Sequence, residues 1–418
     1  MPKFRTVLAT TALLAIAGAA QAAPVKVSFW HIFDSGDAQK FINEVISKFN
    51  AANPNIQVEG LGTNFWDYWT RLTTAQAAGI GPDVAMNDLG NVPARAAAGL
   101  IEPLDAYMKK SGVALNNFWP ATYNIIRYKN KTYALPLETD VRVLYYNKEA
   151  FRAAGLDPNK PPKTIAELTQ YADKLTTKDA GGRLTRIGFG PTLGNTAFYV
   201  YAWANGGEFA GKNGAITINT PKNVEALKWM VDRQTAYGRR EMAAFTAGFG
   251  ANENDPFIAG KVAMIVQNNT FAGNIRRYAP KMDWGVAPLP GRTSWSNGFS
   301  LEMSAKSPNK QAAWEFMNYL MSDAVQLEYA KRNSSMVGNL QAARHKDLMK
   351  DPVWATMVNA MTYSKFRPFS MEAPTWYDTQ LQPEVDAALL GTKTPEQALK
   401  DAQAAYEDAV RRYNQTRR

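Results

Sequence analysis

The 418-residue chain contains no cysteine and only two histidines, His31 and His345. The first absence removes disulfides, thiolate metal sites and thiol nucleophiles together. The second leaves no pair at a metal-binding spacing such as H-E-x-x-H, and no G-x-S-x-G nucleophile turn occurs. No catalytic residue, metal site or cofactor is therefore expected. Beyond its N-terminal apolar segment the chain has no stretch long and uncharged enough to span a bilayer, and no short repeat, low-complexity linker or long charged tail. The formal charge is +10, but the basic residues are dispersed, with pairs such as Arg411-Arg412 and Arg417-Arg418. Nucleic-acid binding wants a concentrated stripe, so this excess reads as solvated surface.

What is present begins with an export signal over residues 1–22. Lys3 and Arg5 form a basic start, Val7 to Ala17 an apolar segment too short to span, and Ala20-Gln21-Ala22 a small-residue cleavage site. The remainder is long enough for two domains with their own cores. Val25 to Trp30 alternates like a first strand, and Phe41, Ile42, Val45, Ile46 and Phe49 mark one face of a helix ending near Asn53-Pro54. Ile56 to Glu59 reads as a second strand. Such a βαβ opening implies parallel strands and a right-handed crossover. Thr164 with Glu167, and Thr394 with Gln397, are capping boxes. Thr220-Pro221, Ser307-Pro308 and Thr394-Pro395 place a hydroxyl cap ahead of a first-turn proline.

Lys131 to Lys148 has the bias of extended chain, broken by Pro136 and by the polar Glu138-Thr139-Asp140, so two short strands are expected to meet there. With the helix start that follows, the stretch YALPLETDVRVLYYNKEAFRAAGLDPNKPPKTIAEL (residues 133–168) resembles the bacterial extracellular solute-binding proteins of ABC importers. More narrowly, it resembles the carbohydrate group that includes the maltose-binding and glycerol-3-phosphate-binding proteins. The resemblance continues in order through AAGIGPDVAMND (77–88), AAGLIEPLDAY (97–107), FIAGKVAMIVQNNTFAGNIRRYA (257–279), MDWGVAPLPG (282–291), SAKSPNKQAAWEFMNYLMS (304–322) and LGTKTPEQALKDAQ (390–403).

This resemblance implies a two-lobed periplasmic-binding-protein fold of α/β class. Each lobe is a mostly parallel five-strand sheet flanked by helices, with the ligand cleft between them. Residues 24–138 and 297–333 would form the N-terminal lobe, and 139–296 and 334–418 the C-terminal lobe. It implies a periplasmic monomer that captures a sugar, oligosaccharide or polyol by hinge closure and delivers it to the transmembrane permease subunits of an ABC importer. The missing cysteine also removes the lipid tether of many relatives in single-membrane bacteria. Two alternatives stay open: a binder of an anionic solute such as glycerol phosphate or an acidic oligosaccharide, favoured by the net charge, and more remotely a secreted glycosidase, since counting cannot exclude a carboxylate pair.

A sugar needs aromatic rings for its C–H face and planar polar groups for its hydroxyls; the chain has 11 Trp and 18 Tyr. Asp88, ending the strand after Pro82, stands at a carboxyl end where open α/β sheets bind ligands, whereas Asp83 reads as a turn or cap. The resemblance adds Asp34 in the first loop, then Asn64, Phe65 and Trp66, with one of the two rings facing the cleft and the other the core. It adds Asp140 at the crossing, and Asn195, Thr196 and Tyr199 on the second lobe. Asn268 and Phe271 stand where many relatives have Gly-x-Trp. Trp295 and Gly298 fall at a second crossing, and Trp376 and Tyr377 in an aromatic pair. His31 is read as a surface residue, and Arg142 as either neutralising Asp140 or facing solvent.

Overall fold

A computed structural model of the protein describes residues 23–211 and 215–416; the expected export signal lies outside them. Two mixed sheets organise the chain. Its strands are β1 (Val25–His31), β2 (Ile56–Gly62), β3 (Val84–Asp88), β4 (Ala134–Thr139), β5 (Arg142–Asn147), β6 (Thr177–Lys178), β7 (Leu184–Gly194), β8 (Val262–Asn268), β9 (Trp284–Ala287), β10 (Gly298–Met303) and β11 (Met336–Val337). A separate two-stranded hairpin pairs Arg127–Tyr128 with Lys131–Thr132.

The first sheet has the order β11-β4-β10-β3-β1-β2 and the second β9-β5-β8-β7-β6. β1 is parallel to β2 and β3, as the βαβ opening requires. The intervening helix, α1 (Gly36–Ala52), buries Phe41, Ile42, Val45, Ile46 and Phe49, each worth roughly 1.5–3 kcal/mol of apolar transfer. The expected strands at the crossing are β4 and β5. They pair in different sheets, with only Asp140 and Val141 between them. This is the two-lobed α/β architecture of the resemblance, but its sheets are not mostly parallel as expected: β1–β2, β1–β3 and β8–β7 pair parallel and the other neighbours antiparallel.

The first sheet has six strands where five were expected. The helix Asp323–Asn333 ends at Ser334 in the left-handed region (φ 52°), which reverses the chain. Met336 and Val337 can then pair with Thr139 and Glu138 at the sheet edge. Thr164, Thr220 and Thr394 cap their helices by accepting the N–H three residues on. Ser307 does not: the helix starts later, at Lys310. The Ser307 hydroxyl accepts from Asn309 N–H and donates to Asp83 at 2.6 Å. Asp83 also accepts from the Ser28 backbone and hydroxyl, so it pins three segments together, a structural role like that read from its place beside Pro82.

His31 is corrected outright. It continues the Val27-Phe29 alternation inward and is only 1% exposed. Its imidazole lies between Phe29 and Phe33, with Nδ1 accepting from Phe33 N–H at 3.3 Å. Burial pulls its pKa down to about 4.

Candidate functional site

The chain crosses between the sheets near residues 139–141, 294–297 and 333–335, and buried polar groups hold these crossings to one another. Thr139 Oγ1 and the Asp140 N–H both donate to the Asn297 carbonyl. The Asn297 N–H returns a bond to Asp140 Oδ1 at 2.6 Å. Val141 N–H donates to Asn269 Oδ1, and Asn269 Nδ2 donates to the Ser334 carbonyl, so one asparagine joins two crossings. Gly298 is obligatory here: its φ is +135°, and a Cβ would stand 2.3 Å from the Glu138 carbonyl oxygen. Close approach of strands β10 and β4 requires a residue with no side chain.

Asp88 ends β3 beside this knot. Its Oδ1 accepts Gly90 N–H at 2.7 Å and its Oδ2 accepts Asn297 Nδ2 at 2.9 Å. Burial raises its pKa, opposed by those two bonds and by Arg367. Asp88, Gly90, Asn91 and Ile125 from one side and Arg367, Pro368, Phe369 and Pro374 to Asp378 from the other line a cavity of about 80 Å³. Asp88, Trp376 and Tyr377 thus line one cavity. Arg367 is a further member of that wall, its guanidinium 5.0 Å from the Tyr377 ring centroid and 3.5 Å from Asp378.

A second group lies against the crossings. Tyr199 is buried and meets Trp295 and Tyr377 edge-on, at 5.0 and 4.7 Å between centroids. Burial pushes its hydroxyl pKa well up. Arg142 is 4% exposed. It donates to Asp140 Oδ1 and to Asn195 Oδ1, and its guanidinium carbon sits 3.6 Å from the Trp295 ring centroid. Of the two sequence readings for Arg142, it pairs with Asp140.

Most of the remaining expected residues lie apart from this cavity. Asp34 is exposed on its loop and accepts from Ser35. Asn64 caps helix α2 (Phe65–Ala77) by accepting from Trp66 N–H. Neither Phe65 nor Trp66 enters the core, contrary to expectation: they are 39% and 80% exposed. The helix turns its buried side through Tyr68, Leu72, Ala75 and Gln76 instead. Phe65 joins Trp66, Trp69 and Phe299 in an aromatic cluster on that rim. Thr196 faces the Tyr201 hydroxyl. Asn268 takes a bond from Thr270. Phe271 is turned into the core against Tyr145 and Phe257, where it cannot stack on a ligand. Trp376 lines the cavity, yet is only 2% exposed; its Nε1 donates to the Pro368 carbonyl and its ring packs near Phe209 and Tyr406. Among the described residues no group of acidic or histidine side chains is arranged to hold a metal ion, and no helix is long and apolar enough to cross a membrane.

Comparison with known proteins bears on this geometry. The model of the family described as bacterial extracellular solute-binding protein matches residues 34–327. A binding protein of Brucella abortus (strain 2308) is 27% identical over 428 aligned residues, covering 96% of this chain and 97% of its own. The sn-glycerol-3-phosphate-binding periplasmic protein of Shigella dysenteriae serotype 1 is 29% identical over 296 residues, covering 66% of this chain and 63% of its own. Among solved structures, CpMnBP1 with mannotriose bound superposes with a TM-score of 0.80 at 31% identity, covering 91% of this chain and all of that one.

Proposed function

Because the chain belongs to the bacterial extracellular solute-binding proteins, we propose that it is the periplasmic binding subunit of an ABC importer, carrying a neutral sugar, oligosaccharide or polyol. The observation that carries this reading is the cavity between the end of β3 and the segment from Arg367 to Asp378. There the carboxylate of Asp88 stands across from Arg367 and the Tyr377 ring, beside the polar crossing at Asp140 and Asn297. Carboxylates and amides are acceptors and donors for hydroxyl rims, and rings cover C–H faces. Residues 24–138 with 297–333, and 139–296 with 334–418, would move as lobes about the crossings, each presented to one permease subunit in the closed state. Export with cleavage after Ala22, a monomeric state and the absence of turnover belong to the same proposal. The likeness to a mannotriose-bound protein supports a carbohydrate ligand.

The test is calorimetry on unfolded and refolded protein, freed of any carried ligand, against mono-, di- and trisaccharides, polyols and glycerol 3-phosphate. Binding of a sugar with no product released is the expected result; no binding to any sugar or polyol would refute it. Arg367 on the cavity wall, with the glycerol-3-phosphate-binding relative, favours a second reading, an anionic solute. Affinity that falls steeply as salt rises would support that reading, and salt-insensitive binding the neutral one.

A further inference from the structure

We propose that Arg142 is a positioning residue that sets the charge selectivity of the cleft, by neutralising Asp140 from inside the hinge and making the crossing favour uncharged sugars. The inference rests on the carbohydrate reading above and deepens it. Arg142 is placed so that a ligand can make little use of it. Its Nη1 is on Asp140, its Nε and Nη2 are on Asn195 Oδ1 at 3.0 and 2.7 Å, and one face lies on Trp295. Its backbone is held as well: the N–H donates to Ser294 Oγ and the carbonyl accepts from the same hydroxyl. Three of its five N–H groups are engaged and 4% of the residue is exposed, so it contributes charge with little donor capacity left for a ligand.

Asp140 is the other half of the device. Arg142 and the Asn297 N–H both bond to Oδ1, which leaves Oδ2 as the oxygen turned away from these two donors. The Asp140 side chain keeps 21% exposure where that of Arg142 keeps 4%. Oδ2 is therefore available to accept a ligand hydroxyl, while the formal charge behind it is cancelled. A carboxylate in a site of low effective dielectric would otherwise attract an amine, and an unopposed arginine would attract an acid. With both present, neither charged analogue gains at this position. The remaining charges near the cavity, Asp88, Arg367 and Asp378, lie on other elements and are unchanged by substitution here.

The pair makes opposite, reciprocal predictions. R142M keeps side-chain bulk but leaves Asp140 unopposed; D140N is isosteric and leaves Arg142 unopposed. Wild type and both variants are titrated with three trios of probes: mannose, mannosamine and mannuronate, and the corresponding glucose and galactose sets. Each affinity is expressed as a ratio to the neutral member of its trio, so a general loss of affinity cancels. R142M is expected to shift that ratio toward the amino sugar by at least about tenfold, and D140N toward the uronic acid by a similar factor. If one variant does not fold, the other decides alone. Ratios that stay within about twofold of wild type in a folded variant, whatever happens to overall affinity, would mean that Arg142 only braces the hinge, and the inference falls. A wild type that binds no sugar at all overturns the carbohydrate reading and this inference together.

Discussion

Replacing Glu138 by glutamine should change how the stability of this protein depends on pH. Glu138 lies on β4 just before the first crossing and accepts the Tyr329 hydroxyl at 2.5 Å. Burial raises its pKa from 4.5 to about 7; bonds from Tyr329 and Ser335 oppose the rise, and Asp140 adds to it. The folded protein thus holds this proton up to about 7, while the unfolded chain releases it near 4.5. Its contribution is fully present below the lower value and lost as pH rises through the upper one. At roughly 1.4 kcal/mol for each pH step, that interval amounts to about 3 kcal/mol. The amide introduced by E138Q cannot ionise, keeps the shape, and still offers Tyr329 an acceptor. Urea unfolding at about pH 5 and about pH 8 measures the difference, urea being uncharged and leaving electrostatics unscreened. The stability of E138Q relative to wild type should rise by about 2.5 kcal/mol between the two. Parallel profiles for the two proteins would refute the reasoning, because a carboxyl ionised throughout has no such interval.

Other substitutions separate packing from recognition. His31 has the opposite sign: with its folded pKa held at about 4 against 6.5, stability should fall as pH drops between those values, and H31Q should lose that component in the same urea assay. Trp376→Ala should lower stability by about 3–5 kcal/mol, as large-to-small core changes do, because the ring is buried and its Nε1 is bonded; a thermal melt unchanged from wild type would contradict its core placement. Asp88→Ala leaves Asn297 Nδ2 and Gly90 N–H without their acceptor and should weaken sugar binding by roughly 1–3 kcal/mol, about fivefold or more, by calorimetry.

Legibility in the sequence followed the range of the interaction. The caps at Thr164, Thr220 and Thr394 close on residues three positions away, so a short window contains both partners. Ser307 carries the same local pattern, but its hydroxyl serves Asp83, far along the chain, and that tertiary bond displaced the cap. The burial of His31 is legible locally: the alternation that buries Val27 and Phe29 places it on the same face. Trp376 was beyond reach, because a sugar wall and a core both call for a large ring. The choice is made by Pro368, Phe209 and Tyr406, and nothing near Trp376 announces the last two.

The crossing residues are the sharper case. Asp140, Asn195, Trp295 and Asn297 are each ordinary in their own segments, and their meaning lies in how they divide between the two sheets. Asn297 precedes β10 and bonds to Asp88 on β3 and to Thr139 and Asp140 at the end of β4, so this set belongs with the first sheet. Arg142 begins β5 and bonds to Asn195 after β7 while lying on Trp295, so that set belongs with the second. The Asp140–Arg142 pair joins the two. Any rotation of one sheet against the other must be taken up at all three crossings, and across that pair at the first of them. A salt bridge tolerates such movement better than a packed apolar contact does, because Coulomb attraction falls gradually with distance while close packing is lost within an ångström. A charged pair is therefore a physically sensible choice at this point of the hinge, where leucine and valine would lock the two sheets in one relation.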